Sequence, residues 1–283
     1  MQSVCTLHTT INTPMNMKYL QHIIFCIWIC IATSCQNDEI YYPDSTDQIQ
    51  IMDDGRLRIP FSLEIPEREV VQTKGTAASS AESAIRNAYV LVFDQGGAEQ
   101  LVACTPAKVD PTDNQKIYAI LQPYNRACHI HIFANLSQAN IDQVTQAATL
   151  NDIRHLTTTH QQLEDGLLPL SSARIGVSAV NAASINQLSV PLHFVYSRID
   201  VKNTVSDFVL QTCQLINVSQ EGYLIEHADL SSDMGGEISG SVRQASGNSV
   251  TGMYLFENSG AAPYDVQGTN PTDLLIKGRK GSN

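Results

Sequence analysis

The chain has 283 residues, of which 43% are hydrophobic and 16% charged, and its formal net charge is −11. That length allows one large or two ordinary domains, and this hydrophobic content excludes a chain that is disordered throughout. Lys18 is the one charged residue among the first 35, so the remainder keeps 16 basic against 28 acidic residues, or −12. Such an acidic chain lacks the basic surface that binds nucleic acid, and we expect no nucleic-acid partner.

The N-terminal segment has the pattern of a signal peptide. Lys18 precedes an apolar run over residues 23–32, which is shorter than the roughly 20 residues that span a bilayer. Small residues then lead to Cys35, as in a bacterial lipobox. There the chain is cleaved just before the cysteine, which becomes the new N-terminus and is acylated, for example with palmitate. We therefore predict a lipoprotein signal peptide over residues 1–35, with the real start at Met15 or Met17.

The polar and acidic stretch that follows, residues 36–56, is predicted to be a solvated tether. Four of the seven cysteines lie within the first 35 residues, so three remain beyond them: Cys104, Cys128 and Cys213. Their wide spacing argues against a disulfide framework and against a zinc site. One bridge between two of the three stays an open alternative in an oxidising compartment.

Residues 57–66 alternate as a strand does, with five apolar side chains on one face. These five are Leu57, Ile59, Phe61, Leu63 and Ile65. Pro60 lies inside the run, which indicates an edge position or a strand added late. The following residues 67–83 are polar, unpatterned and rich in small side chains, and they include Arg68 and Lys74. We expect this segment to be exposed and accessible to proteases.

Many short strands follow, at intervals of about ten residues, and this spacing is typical of β-sandwiches. The strands are predicted at residues 85–93, 100–105, 116–121, 128–133, 174–180, 187–194, 197–205, 208–217, 237–242, 252–256 and 272–277. Short helices are predicted at 141–147 and 151–160. A boundary near residue 197 would divide the chain into an N-terminal domain, 57–197, and a C-terminal domain, 198–283.

Catalytic patterns do not stand out. The sequence contains no nucleophile elbow, no zinc-protease motif and no phosphate-binding glycine loop. His129 and His131 share a strand face, but no acid or third histidine is placed to complete a metal site, so we interpret them as side chains of the polar face. Ser171 and Ser172 follow a turn and lack a visible general base. We expect no enzymatic activity, no metal and no cofactor.

The order of motifs along the chain resembles the fimbrillin-type subunits of Bacteroidota pili, also called type V pili. The lipobox at Cys35 comes first. The later motifs are LRIPFSLEIP (57–66), SAIRNAYVLVFDQGG (83–97), CHIHIFANLS (128–137), LPLSS (168–172), VPLHFVYSRIDVKN (190–203), MYLFENSG (253–260) and DLLIKGRKGSN (273–283). Together they cover most of residues 57–280.

The resemblance implies two transthyretin-like β-sandwich domains, with short helices in the first. It also implies a surface-exposed outer-membrane lipoprotein, held by lipid on Cys35. A trypsin-like protease would cut after Lys74 or Arg68 and release the strand 57–66. A strand from another fimbrial subunit would then fill the vacated groove by β-strand addition, which builds an adhesive fimbrium.

Two departures from the family pattern leave alternatives open. Lys74 stands where the family usually has Arg, so an uncut chain would remain lipid-anchored as a non-polymerising anchor. The chain also stops where the family usually continues with a donor strand, which implies a truncated sequence or a terminal position in the pilus. The alternative function is a surface lipoprotein that binds a glycan or host ligand without polymerising.

Overall fold

The computed structural model describes residues 48–65, 82, 84–185, 188–225, 236–256 and 272–280. Thr46–Asn283 forms one compact unit. In these described ranges no helix combines the length and the apolar character needed to cross a membrane. The predicted signal peptide, Cys35, Arg68 and Lys74 lie outside the described residues.

Up to Phe194, the described residues form ten strands and three short helices. The strands are β1 (Gln50–Ile51), β2 (Leu57–Glu64), β3 (Ala88–Asp94), β4 (Leu101–Val109), β5 (Lys116–Leu121), β6 (Cys128–Ala134), β7 (Thr157–Thr159), β8 (Leu170–Ser172), β9 (Ile175–Val177) and β10 (Leu188–Phe194). The helices are α1 (Gln138–Gln146), α2 (Leu150–Arg154) and α3 (His160–Glu164). The sequence therefore folds as a mainly β protein, as predicted.

Nine of these strands belong to one sheet, and that sheet closes on itself. Its hydrogen-bonded order is β1-β2-β10-β8-β6-β3-β4-β5, β9 is attached to β6, and β2 also pairs with β5. Seven strands therefore form a ring in which β2 is the closing member. A closed sheet has no free edge within the ring, so its interior is enclosed on every side.

One apolar core fills the interior of this ring. Alternate residues of each strand point inward, as strand geometry requires. On the central strand β3 these are Val90 and Val92, which are 0% and 1% exposed. The neighbouring strand β6 contributes Ile130 and Ile132, both fully buried.

The outer face of β3 and β6 is also buried, because the helices cover it. Leu91 and Phe93 point outward from β3 and pack in a second cluster with Phe133 of β6. Val144 of α1 and Ile153 of α2 complete that cluster. Side-chain caps begin both helices, at Ser137 for α1 and at Thr149 for α2.

The remaining strands form smaller sheets. They are β11 (Ser197–Lys202), β12 (Phe208–Ile216), β13 (Val218–Ser219), β14 (Glu221–Tyr223), β15 (Glu237–Ile238), β16 (Arg243–Gln244), β17 (Ser249–Leu255) and β18 (Asp273–Lys280). β11 pairs with β17, and β12 lies between β16 and β18. A third apolar cluster, which includes Leu210, Cys213 and Met253, joins these pairs.

Two sequence-based expectations need correction. The predicted helix over 151–160 is a one-turn helix followed by strand β7, because Thr157–Thr159 pairs with Glu221–Tyr223 of β14. The end of the predicted tether, Gln50–Ile51, is a strand that pairs with the start of β2. The transthyretin-like topology and the domain boundary near residue 197 stay predictions.

Candidate strand-exchange site

Strand β2 contains four of the five residues predicted to leave the fold, and it is hydrogen-bonded along both edges. On one edge it runs antiparallel to β5, from Leu57 opposite Leu121 to Ser62 opposite Lys116. On the other edge it runs parallel to β10, from Phe61 opposite Leu188 to Glu64 opposite Pro191. The prediction of an edge position is therefore wrong, since β2 is an interior strand of the closed ring.

The predicted inward face of β2 is confirmed by its packing in the core. Leu57, Ile59, Phe61 and Leu63 are 3%, 0%, 0% and 2% exposed, and all four belong to the core inside the ring. Ile65 lies just past the strand and packs against the same core while partly buried. By side-chain burial alone, each of the four would contribute about 1.5–3 kcal/mol. Loss of β2 would thus open an apolar slot through the core.

Pro60 fits an interior strand because its missing N–H falls in a gap between partners. The Leu63 amide donates to the Gln115 carbonyl on the β5 side, at 2.6 Å. Amide directions alternate along a strand, so the nitrogen of Pro60 faces the opposite edge. On that edge β1 pairs as far as Arg58, and β10 begins at Phe61. A proline therefore costs this sheet no ladder hydrogen bond.

The outward face of β2 carries a buried cation. Arg58 is 3% exposed, and its guanidinium carbon lies 3.9 Å from the ring centroid of Tyr118 on β5. The Arg58 Nη1 donates to Gln50 Oε1 at 3.2 Å. The Tyr118 hydroxyl donates to Asp110 Oδ2 at 2.9 Å, beside the start of β5. The strand alternation places Arg58 on the face opposite the apolar residues, but it gives no sign of this contact.

A buried ion-pair cluster fastens the chain near the end of the predicted protease-sensitive segment. Glu82 is fully buried and is paired with Arg198 of β11. It also accepts a hydrogen bond from the Tyr254 hydroxyl of β17, at 3.0 Å. Arg198 Nε donates to Asp200 Oδ1 at 2.8 Å, and Asp200 accepts the Gly252 amide. The expectation that residues 67–83 are exposed is therefore wrong at Glu82.

This cluster unites Glu82 with two motifs that the sequence presented separately. Arg198 and Asp200 came from the motif at 190–203, and Tyr254 from the motif at 253–260. Arg198 lies directly opposite Tyr254 in the β11–β17 pair. Glu82 was missed, because its neighbours are small and polar and give no sign that a carboxylate there is buried.

Asn135 supports the start of β3 from the end of β6. It has a positive φ of 58° and is 3% exposed. Its side-chain oxygen accepts the Arg86 amide at 2.8 Å, while its nitrogen donates to the carbonyls of Ala84 and Leu168. Asparagine tolerates the left-handed region better than other non-glycine residues. Asn135 thus fixes the chain just before β3 and just before β8.

The two histidines on β6 occupy different environments. His131 is 3% exposed, and its Nε2 lies 3.0 Å from the Ser171 hydroxyl. Burial is the larger cause and Arg174 the smaller one, and together they lower the pKa of His131 to about 3. His129 lies 3.7 Å from Glu99. The interpretation of both as exposed polar-face residues is wrong for His131, which the helices cover.

The His131–Ser171 pair lacks the features of a catalytic dyad. Ser171 is 4% exposed, so a substrate has no route to its hydroxyl. A base held neutral to a pKa of about 3 is also too weak to activate a serine near neutral pH. The pair instead gives each of two buried polar side chains a hydrogen-bond partner between the sheet and its cover.

The described residues also offer no site for a metal ion or a disulfide. Within the described part of the chain, no three His, Cys, Asp or Glu side chains cluster as metal ligands would. Cys104, Cys128 and Cys213 are free thiols. Burial raises the pKa of each thiol, and that of Cys128 reaches about 11. They behave as apolar side chains rather than as reactive groups.

Solved structures with similar folds include putative cell adhesion proteins and a fimbrilin. No protein-family model and no curated protein sequence matches the chain. Among solved structures, a putative cell adhesion protein from Parabacteroides distasonis is similar, with 15% identity and a TM-score of 0.54, covering 78% of this chain and 76% of that one. A second such protein from the same organism has 15% identity and a TM-score of 0.52, covering 78% and 77%.

A fimbrilin from Porphyromonas gingivalis is also similar, with 14% identity and a TM-score of 0.50, covering 77% of this chain and 70% of that one. At such low identity the likeness establishes the fold and leaves activity open. The resemblance indicated by the motif order is thus confirmed at the level of the fold: the chain has a fold similar to that of putative cell adhesion proteins and of a fimbrilin.

Proposed function

We propose that this chain is a structural subunit of a type V fimbrium, assembled when another subunit's strand replaces β2, and that it supports cell adhesion. The observation that carries the proposal is β2 itself. This strand places four nearly fully buried apolar side chains in the core, yet it lies upstream of the segment that contains Arg68 and Lys74. A cut in that segment would break the only covalent link between β2 and β3.

The slot that β2 occupies has the properties that strand addition requires. It offers main-chain partners on two sides, β5 in antiparallel and β10 in parallel orientation. It also offers alternate apolar pockets, which give such joins their specificity. The fold shared with a Porphyromonas fimbrilin and with putative adhesion proteins supports the same assignment.

The anchored cluster at Glu82 suits a cut that removes only the upstream part. Its ties to Arg198 and Tyr254 fasten the chain seven residues after Gly75, the first residue of a chain cut after Lys74. Loss of residues 1–74 would remove the lipid on Cys35 and strand β2 together. The remaining chain would stay bound through Glu82, close to its new N-terminus, to the strands β11 and β17.

A second candidate, a lipid-anchored and non-polymerising surface subunit, is favoured by the double pairing of β2. A strand bonded on two edges leaves more slowly than an edge strand, because both ladders must open together. In that case β2 would be a permanent part of the closed ring, and Cys35 a permanent anchor.

The two candidates are separated by blocking the cut in the producing cell. With the native chain we expect a mature N-terminus near Gly75 and SDS-resistant ladders on unboiled gels. The double variant Arg68→Ala/Lys74→Ala should remain full-length, acylated at Cys35 and free of ladders, while Arg68→Ala alone should behave as the native chain. Recovery of only acylated, full-length native protein would reject the polymerising form and leave the anchor.

A further inference from the structure

The slot that β2 fills has one feature beyond its apolar pockets. Arg58, Pro60, Ser62 and Glu64 lie on the outward face of β2, and the last two are exposed. Arg58 is instead 3% exposed, a degree of burial that arginine rarely reaches without a dedicated partner. Its partner is the face of Tyr118, at 3.9 Å.

The ring that receives Arg58 is held rigidly and is polarised by an anion. Tyr118 is 4% exposed, and its hydroxyl donates to Asp110 Oδ2 at 2.9 Å. Asp110 is fixed in turn by Thr112, whose hydroxyl and amide both donate to Oδ1 at 2.7 and 2.8 Å. These bonds hold the pKa of Asp110 down at about 2, so its charge is present at any physiological pH. A phenol hydroxyl that donates to a carboxylate raises the electron density of its ring. A ring with a higher electron density attracts cations more strongly.

Only the cation belongs to the strand that would leave. Tyr118 is part of β5, and Asp110 directly follows β4, so both remain in the fold after a cut downstream of β2. Gln50, which accepts from Arg58, lies upstream of β2 and would leave with it. The vacated slot would therefore keep an aromatic face backed by a carboxylate, without Arg58 over it.

We propose that Tyr118 and Asp110 form a cation subsite of the slot, which selects an incoming strand carrying Arg or Lys three residues before the side chain that replaces Phe61. This proposal rests on strand replacement as the function. The occupant is an extended segment of another fimbrial subunit, with apolar side chains at alternate positions and the cation on its outward face. Arginine suits the subsite better than lysine, because its planar group stacks on a ring.

The subsite gives the slot a property that its apolar pockets lack. Alternating pockets distinguish the two faces of a strand, so they exclude a slip of one residue. A slip of two residues still places apolar side chains inward and is poorly excluded by the pockets alone. A cation that fits over one ring excludes that slip as well, and thus sets a single register for the incoming strand.

The subsite is tested first in the intact full-length chain, with a double-mutant cycle. Arg58→Met and Tyr118→Leu are compared singly and together by chemical denaturation, with Ser62→Met as a control on the exposed face. We expect a coupling between the two sites of roughly twofold to thirtyfold in the unfolding equilibrium constant. Additive effects of the two substitutions would overturn the subsite.

The selection is tested by exchange in full-length protein cut with trypsin, after the trypsin is inhibited. Synthetic peptides of residues 55–66 are offered with Arg, Lys or Met at position 58. We expect the Arg peptide to bind roughly twofold to thirtyfold more tightly than the Met peptide, with Lys between them, and the preference to vanish in Tyr118→Leu. Equal binding of all three peptides to the native slot would overturn the selection. If no peptide enters, strand replacement itself fails, and coupling in the intact chain would then show Tyr118 to be a contact of a permanent strand.

Discussion

At the residue scale, loss of the Glu82 carboxylate should lower the free energy of unfolding. Its carboxylate is fully buried against Arg198 and the Tyr254 hydroxyl. Glu82→Gln removes the charge and leaves Arg198 buried with Asp200 alone. Breaking a buried pair from one side costs about 3 kcal/mol. We expect that loss in the free energy of unfolding, measured by urea denaturation.

The exposed pair of Asp54 and Arg56 provides the matched control for Glu82. Asp54→Asn removes a charge from a pair whose side chains are 41% and 48% exposed, so no measurable change is expected there. If Glu82→Gln is as harmless as Asp54→Asn, the cluster does not fasten the chain after the predicted cut.

The buried His131 should make the protein less stable in acid. Burial lowers its pKa in the folded chain to about 3, below the usual 6.5. Between those values the unfolded chain binds more protons, so stability is fully present above pH 6.5 and is lost as the pH falls toward 3. The loss approaches about 1.4 kcal/mol per pH unit for this one group.

The acid effect is measured as unfolding free energy against pH. His131→Gln keeps a partner for Ser171 and should make the slope between pH 6 and 4 shallower. His155→Gln, at an exposed imidazole, should leave the slope as it is. A slope unchanged by His131→Gln would show that other groups govern the acid lability.

At the scale of elements, β2 should contribute stability chiefly through its inward face. Phe61 is fully buried, and truncation of a buried Phe costs about 3–5 kcal/mol. We expect Phe61→Ala to lower the free energy of unfolding by that amount. After trypsin cleavage, the same variant should release the fragment containing β2 faster than the native chain, as followed by size-exclusion chromatography.

Ser62→Ala is the control for that experiment, since Ser62 is the adjacent and exposed residue of β2. It should change stability by less than about 0.5 kcal/mol and leave the fragment's release unaltered. Equal effects of the two substitutions would mean that the inward face of β2 does not hold the strand in place.

Local sequence patterns predict where most strands and helices lie, but they do not predict which strands pair with each other. The strands at 116–121, 128–133 and 187–194 agree with β5, β6 and β10 to within a residue, because alternation and turn residues are local signals. The pairing of β2 with β10 joins residues about 130 positions apart, and nothing local encodes it. The edge position inferred from Pro60 failed for this reason: its gap exists only once β1 and β10 are both in place.

Some residues of the candidate site could be predicted from the sequence, and others could not. The inward residues of β2 follow from alternation, and their burial agrees with it. Glu82 and the outward Arg58 were missed, because a charged residue is normally exposed and only a distant partner overrides that rule. Likewise, Thr157–Thr159 became a strand rather than a helix only because β14 supplies a partner.

At the scale of the whole molecule, the closed ring decides what the removal of β2 would require. The ring keeps one apolar core enclosed, so the slot cannot stay empty in water without exposing Ile117, Val190 and their neighbours. The fold therefore couples departure of β2 to arrival of a substitute. A subunit cut in isolation should aggregate or retain its fragment, whereas one cut beside a partner should polymerise.

The most direct measurement is hydrogen exchange with mass spectrometry on fimbrial material purified from the cell surface. Strand replacement predicts that peptides from Leu57–Glu64 are missing. It also predicts that the amides of Lys116–Leu121 and Leu188–Phe194 remain as protected as in the full-length chain. That combination means that a foreign strand fills the slot. Recovery of Leu57–Glu64 peptides in full proportion from the assembled material would contradict strand replacement.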